Sequence, residues 1–148
     1  MTFEHSAGAI IFFRRRHSFS VQAGLDFLLV RYAKRGGFRW DYVKGGVEKG
    51  ETSLAAMLRE VREETGIKYP RYIRGFHRAI KWHYQRAGKP YFKTVDFYLV
   101  ESPTRKVSLS PEHSAYAWMP YQVTLRRLKH KNAREILQKA YEFLTKQK

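Results

Sequence analysis

The chain has 148 residues, 43% hydrophobic and 16% aromatic, enough to bury one core and too apolar for a disordered segment. Its 29 Lys and Arg against 13 Asp and Glu give a formal charge of +16, which suits either a polyanionic partner or a basic surface kept for solubility. With no cysteine it has neither a disulfide framework nor a thiolate metal site, and no apolar run approaches the ~20 residues of a membrane span.

At the N-terminus the apolar stretch precedes its basic cluster, the reverse of a secretory signal, so cytoplasmic residence and no membrane partner are expected. SAGAIIFFRR (6–15) and LDFLLVRYA (25–33) are rich in β-branched and aromatic residues and read as strands, joined by the polar loop RHSFSVQAG (16–24). Residues 34–51 hold five glycines and no sustained period, which predicts loop with short strand pieces. Thr52 then fits a helix N-cap and Gly66 a helix stop, with Leu54, Leu58 and Val61 as the core-facing stripe and Met57 nearby. Strands follow over 72–86 and 91–102, around the turn AGKP, with a shorter one over 115–120. From Tyr121 onward the pattern is helical, with a break near Lys131-Asn132. No repeat or linker interrupts this order, so residues 1–148 read as a single α+β domain.

The segment GGVEKGETSLAAMLREVREETGI (45–67) gathers five glutamates in a basic chain. At about 100° per residue, Glu60, Glu63 and Glu64 fall within an arc of roughly 100°, about 120° round from the apolar stripe. They are therefore expected to point away from the core, with Ala56 on their face leaving space above them. Carboxylates at these spacings repel by a few tenths of a kcal/mol per pair, roughly. Arg59 can reach Glu63, yet one guanidinium cannot neutralise three acids. A hard divalent cation such as Mg²⁺ would, since it takes oxygen ligands and bridges carboxylates to phosphates. The helical pattern by itself also allows a solvated acidic face.

These residues resemble the signature of the Nudix hydrolases. That signature runs Gly, five residues, Glu, seven residues, then Arg-Glu-aliphatic-any-Glu-Glu-any-Gly-aliphatic. Its nine fixed positions are met by Gly45, Glu51, Arg59, Glu60, Val61, Glu63, Glu64, Gly66 and Ile67. The resemblance implies an α/β/α sandwich with a mixed sheet and a catalytic loop–helix–loop. It implies hydrolysis of a nucleoside diphosphate linked to another group, with Mg²⁺ as cofactor and Mn²⁺ as a substitute. Glu63 and Glu64 would bind metal, Glu60 would be a ligand or general base, and Arg59 would orient a glutamate. The carbonyl of Lys44 would join the metal shell.

Within that family, SAGAIIF, FLLVRY, RWDYVKGGVEKGE, KPYFKTVDFYLVE and LSPEHSAYAWMP together resemble the asymmetrical dinucleoside tetraphosphatases, which split diadenosine tetraphosphate into ATP and AMP. One departure is Val43, where those enzymes commonly carry proline before Lys-Gly. On this reading Lys44, Lys89 and Lys93 add positive charge for phosphate, although lysines on this strand also suit the defence of an exposed edge. Tyr84, Tyr91 and Tyr116 are candidates to stack an adenine, against the alternative that they are simply core. Glu112, in SPEH, falls where such enzymes place a further carboxylate near the metals, as ligand or water activator. No histidine is assigned a role: His77 and His83 are too far apart for a shared metal, and His113 reads as structural. A pyrophosphohydrolase of RNA 5′ ends is the nearest alternative, favoured by the charge, by the arginines at 14–16 and by the basic C-terminal helix. Clearance of nucleoside triphosphates or ADP-ribose, and a non-catalytic RNA-binding module, are further alternatives. The sequence does not determine an oligomeric state.

Overall fold

Alternation along the first strand decides the layering. In β1 (Thr2–Arg14), Ile10 and Phe12 face one side and Ala7, Ala9 and Ile11 the other, and all five are buried. A strand apolar on both faces must be covered on both. The computed structural model, which describes residues 1–15, 24–34 and 36–146, shows helices doing this. The loop expected over 16–24 lies, apart from Gly24, outside the described residues, as does Arg16 of the arginine cluster.

The remaining elements are β2 (Leu25–Lys34), β3 (Gly37–Asp41), β4 (Val43–Gly46), α1 (Ser53–Thr65), β5 (Arg71–Arg86), β6 (Lys89–Glu101), β7 (His113–Pro120), α2 (Tyr121–Arg127) and α3 (Lys131–Lys146). Their order in the sheet is β3-β2-β1-β6-β5, with β4 pairing β1 and β7 pairing β2. The β1–β6 pair is parallel and the other pairs are antiparallel, so the sheet is mixed. On one face Ile10, Phe12, Phe27 and Phe97 pack against Ile136, Leu137, Ala140 and Leu144 of α3. On the other, Ala9, Ile11, Val30 and Val100 pack against Ala56, Met57 and Val61 of α1. Each such large side chain, fully buried, contributes about 1.5–3 kcal/mol. The result is the expected α+β sandwich.

Several boundaries differ from the sequence expectation: β1 begins at Thr2 rather than Ser6 and β7 at His113 rather than Ala115, and two differences have a clear physical cause. The turn between β5 and β6 uses only Ala87 and Gly88, both left-handed with φ of 53° and 77°, so Lys89 already pairs with Arg86. The C-terminal helical region breaks at Leu128 rather than at Lys131-Asn132, and α3 begins at Lys131. Leu128 is extended and 2% exposed. Seating it in the core ends α2.

Candidate active site

Helix α1 is set by its ends. The Thr52 hydroxyl accepts from the Ala55 amide at 3.1 Å, a cap worth about 1 kcal/mol, and Gly66 closes the helix at φ 72°. Its buried face is centred on Ala56, Met57 and Val61, while Leu54 and Leu58 are only partly buried at its margin. This corrects two expectations. Ala56 belongs to the core and opens no space above the acids. Glu60 and Glu64 do not point into solvent but are 8% and 6% exposed, whereas Glu63 is outward. The cause is tertiary: β4 brings Gly45 onto Glu60, and the segment leading into β7 lies over Glu64.

Carboxylate oxygens of Glu60, Glu63 and Glu64 lie within 4.8 Å of one another. A second group at the same spacing joins Glu64 to Glu112 and His113. The structure thus brings Glu112, distant in sequence, to the acidic helix through Glu64. Ser110 donates to Glu64 Oε2 at 2.5 Å. His113 Nε2 lies 2.6 Å from the same oxygen without hydrogen-bond alignment, and its buried Nδ1 has no hydrogen-bond partner among the described residues. Its ring meets that of Tyr32 edge-on, with centroids 4.5 Å apart. Ser110 was not singled out in the sequence, whereas His113, read there as structural, is buried against Glu64. The signal for Ser110 was its place two residues before Glu112.

Arg59 organises the near side. Its Nε and Nη2 grip both oxygens of Glu51 at 2.7 and 3.0 Å, Nη1 reaches Glu60 at 2.8 Å and Glu63 at 3.4 Å, and Nη2 donates to the Gly46 carbonyl at 2.9 Å. This guanidinium holds the Glu51 carboxyl down at a pKa of about 2, and the acids in turn raise that of Arg59. Glu60 behaves oppositely. Burial pushes its pKa up, against the pull of Arg59 and with help from the charges of Glu64 and Glu63. A buried anion among anions is the arrangement a bound cation would relieve.

Lys44 precedes Gly45 in β4 and faces the α3 side of the sheet. There a cavity of about 420 Å³ is lined by Arg39, Asp41, Lys44, Trp82, His130 and Asn132, among others. Lys44 Nζ is 3.0 Å from Asp41. Lys93 lies with its Nζ 5.9 Å from the centre of the Trp82 ring, and its pKa is lowered by burial and then by the charge of Lys44. Lys89 is exposed at the hairpin end. Tyr84 and Tyr91 stack on each other, centroids 5.1 Å apart at 17°, with Arg86 over both rings and the Tyr84 hydroxyl donating to Glu4. Tyr116 is 40% exposed on β7, which pairs β2 on the far side of β1, so it does not join the other two tyrosines. Trp82, Arg39 and Asn132 line the cavity without having been singled out in the sequence, where aromatic and basic residues are too common to discriminate.

Residues 4–140 match the NUDIX domain. The chain is 36% identical over 143 residues to the asymmetrical bis(5′-nucleosyl)-tetraphosphatase of Mus musculus, covering 94% of each. An RNA pyrophosphohydrolase of Psychrobacter is 40% identical over 65 residues, 43% of this chain and 37% of that one. In fold this chain is similar to an Ap4A hydrolase of C. elegans, with a TM-score of 0.74 at 24% identity over 95% of this chain and 97% of the other.

Proposed function

This chain belongs to the NUDIX family and is a Nudix pyrophosphohydrolase, and from that premise we propose that it splits diadenosine tetraphosphate, with water, into ATP and AMP. The observation that carries the proposal is the position of Lys44-Gly45. Gly45 touches the acidic cluster through Glu60, while Lys44 lines the basic cavity that holds Trp82. One substrate can therefore present its phosphates at the acids and its base in the cavity.

The donor set of Glu60, Glu63 and Glu64 is all oxygen, which fits a hard cation, Mg²⁺ or Mn²⁺, with the Lys44 carbonyl as a further ligand. When bound, the metal would offset charge on the phosphoryl oxygens and acidify the attacking water. The rest falls to the chain. Arg59 holds Glu51 and Glu60 in place, and Glu60 or Glu112 accepts the proton of water. Lys44 and Lys93 neutralise phosphate charge, with Lys89 reinforcing the field from the hairpin end. For the base, Trp82 offers a face inside the cavity, and Tyr84, Tyr91 and Tyr116 remain candidates outside it.

A second reading has an observation of its own. The cavity continues along β5 and α3 into a groove lined by Arg78, Lys81, Glu135 and Lys139, three bases to one acid, with Ile80 and Asn132 common to both. A basic track longer than one nucleotide suits the 5′ end of an RNA. Product analysis after incubation with diadenosine tetraphosphate and 5′-triphosphorylated RNA in competition separates the two. ATP and AMP as dominant products support the dinucleotide, whereas preferential release of phosphate or diphosphate from RNA overturns it. Glu64→Gln removes most turnover on either substrate without changing the fold.

A further inference from the structure

On the α1 side of the sheet, burial falls away along β6. Val100 and Tyr98 are buried in the layer that α1 covers, whereas Asp96, Thr94 and Phe92 are half-buried. The helix begins at Ser53, whose hydroxyl lies 2.5 Å from that of Tyr98, and β1, β6 and β5 run on from there. Phe92 pairs with Phe3 of β1 and with His83 of β5, so three rings form one row across three strands. In the row between them and Asp96, Thr94 pairs with His5 and Lys81. Alternation puts both rows on the side of Tyr98. Phe3 is 73% exposed, and His5, Lys81 and His83 are exposed as well. Phe3, Phe92, His5 and Lys81 wall an open cavity of about 530 Å³.

We propose that this open face binds single-stranded nucleic acid, with unpaired bases laid on the row of rings and phosphates held by Lys81 and its basic neighbours. The rings are arranged for it. Phe3 meets Phe92 at 68° with centroids 5.9 Å apart, and His83 meets Phe92 at 57° and 4.6 Å. Neither pair is stacked, so ring faces stay free for a planar ligand, and any base offers one. On the opposite side of the sheet, Tyr84 and Tyr91 are stacked at 17° and have used their inner faces. An exposed apolar row rimmed by polar groups marks an interaction surface, and charge selects a polyanion as its partner. Ala79 and Lys81 line both this cavity and the groove beyond the β5 edge, where Arg78 and Lys139 outnumber Glu135. Of the two acids at the cavity wall, Asp96 has its oxygens taken by His77, at 2.7 Å, and by His5, while Glu4 accepts from the Tyr84 hydroxyl. The phosphates therefore meet the basic side chains of the edge. Lys44, Lys93 and Trp82 lie on the other side of the sheet, so this surface is separate from the substrate cavity and serves whichever substrate the acids cleave.

Fluorescence anisotropy tests this with a short labelled RNA of mixed sequence, unpaired and ending in a 5′-hydroxyl, titrated with the full chain in chelator. Such a probe carries no phosphoanhydride and the chelator prevents turnover, so the result is independent of which substrate is hydrolysed. The RNA is expected to bind, with affinity that falls steeply as salt rises. Phe3→Ala changes an exposed side chain and should weaken binding about fivefold or more, the loss of one stacked base. Phe92→Leu keeps an apolar side chain on the sheet while removing the ring, and should do the same. Trp82→Ala should leave the affinity unchanged. No binding, equal binding of the same RNA as a duplex, full-strength binding by either ring variant, or a loss in Trp82→Ala as large as in Phe3→Ala would each overturn the proposal. So would a dimer, seen by sedimentation, that Phe3→Ala dissociates, since a second copy of the chain would then cover the face.

Discussion

Gly45 and Glu60 lie so close that a Cβ on Gly45 would fall 2.2 Å from the Glu60 carboxyl carbon. The atom that must yield is the end of a flexible side chain, so the backbone has no reason to move. Gly45→Ala should leave the thermal midpoint nearly unchanged while swinging the carboxylate out of the cluster. A displacement of this size costs on the order of 10²-fold in turnover. Steady-state kinetics alongside a thermal melt check both halves. Equal loss of stability and activity would mean that Gly45 serves the fold instead.

The grip of Arg59 on Glu51 makes a pH prediction. The Glu51 pKa falls from an ordinary 4.5 to about 2 in the folded chain. A depressed carboxylate contributes stability above its unfolded pKa, and that contribution is lost as pH falls from about 4.5 towards 2. Arg59→Gln should flatten the fall of the melting midpoint over this window. It should also lower turnover near neutral pH, because Glu60 loses the same partner. Melts at stepped pH with both proteins decide this.

Glu60 has the opposite shift. Burial favours its protonated form, so ionising it as pH rises above its ordinary range costs stability. In chelator at neutral pH, Glu60→Gln should therefore melt at or above the temperature of the unmodified chain. On adding Mg²⁺ the order should reverse, since the native protein gains RT ln(1 + [L]/Kd) and the variant gains less. An equal Mg²⁺ response in both proteins would remove Glu60 from the ligand set.

Trp82 and Lys93 should divide the binding work. Stacking of one base is worth about 1–3 kcal/mol, so Trp82→Ala raises KM about tenfold or more and Trp82→Phe restores most of it. Lys93→Ala should lower kcat/KM in a way that shrinks as ionic strength rises, because its contribution is charge. If Trp82→Ala left KM unchanged, the base would have to lie at the Tyr84–Tyr91 stack or at Tyr116.

The sequence alone determined what is local. The glycine, arginine and glutamates of 45–67 are recognisable because their chemistry depends on fixed spacing along one loop and helix. Thr52 and Gly66 mark the ends of α1 because capping involves neighbours within one turn. The strands of the core are legible through their apolar and β-branched runs. What only the tertiary structure decided are meetings between distant residues. Whether Glu60 and Glu64 face water or protein depends on β4 and on the segment before β7, which helical periodicity does not contain. The meeting of His113 with Glu64, of Lys93 with Trp82, and of His5 and His77 at Asp96 follows from strand order and register. A one-residue slip in register would send those side chains to the opposite face, so they become visible only once the strands are paired.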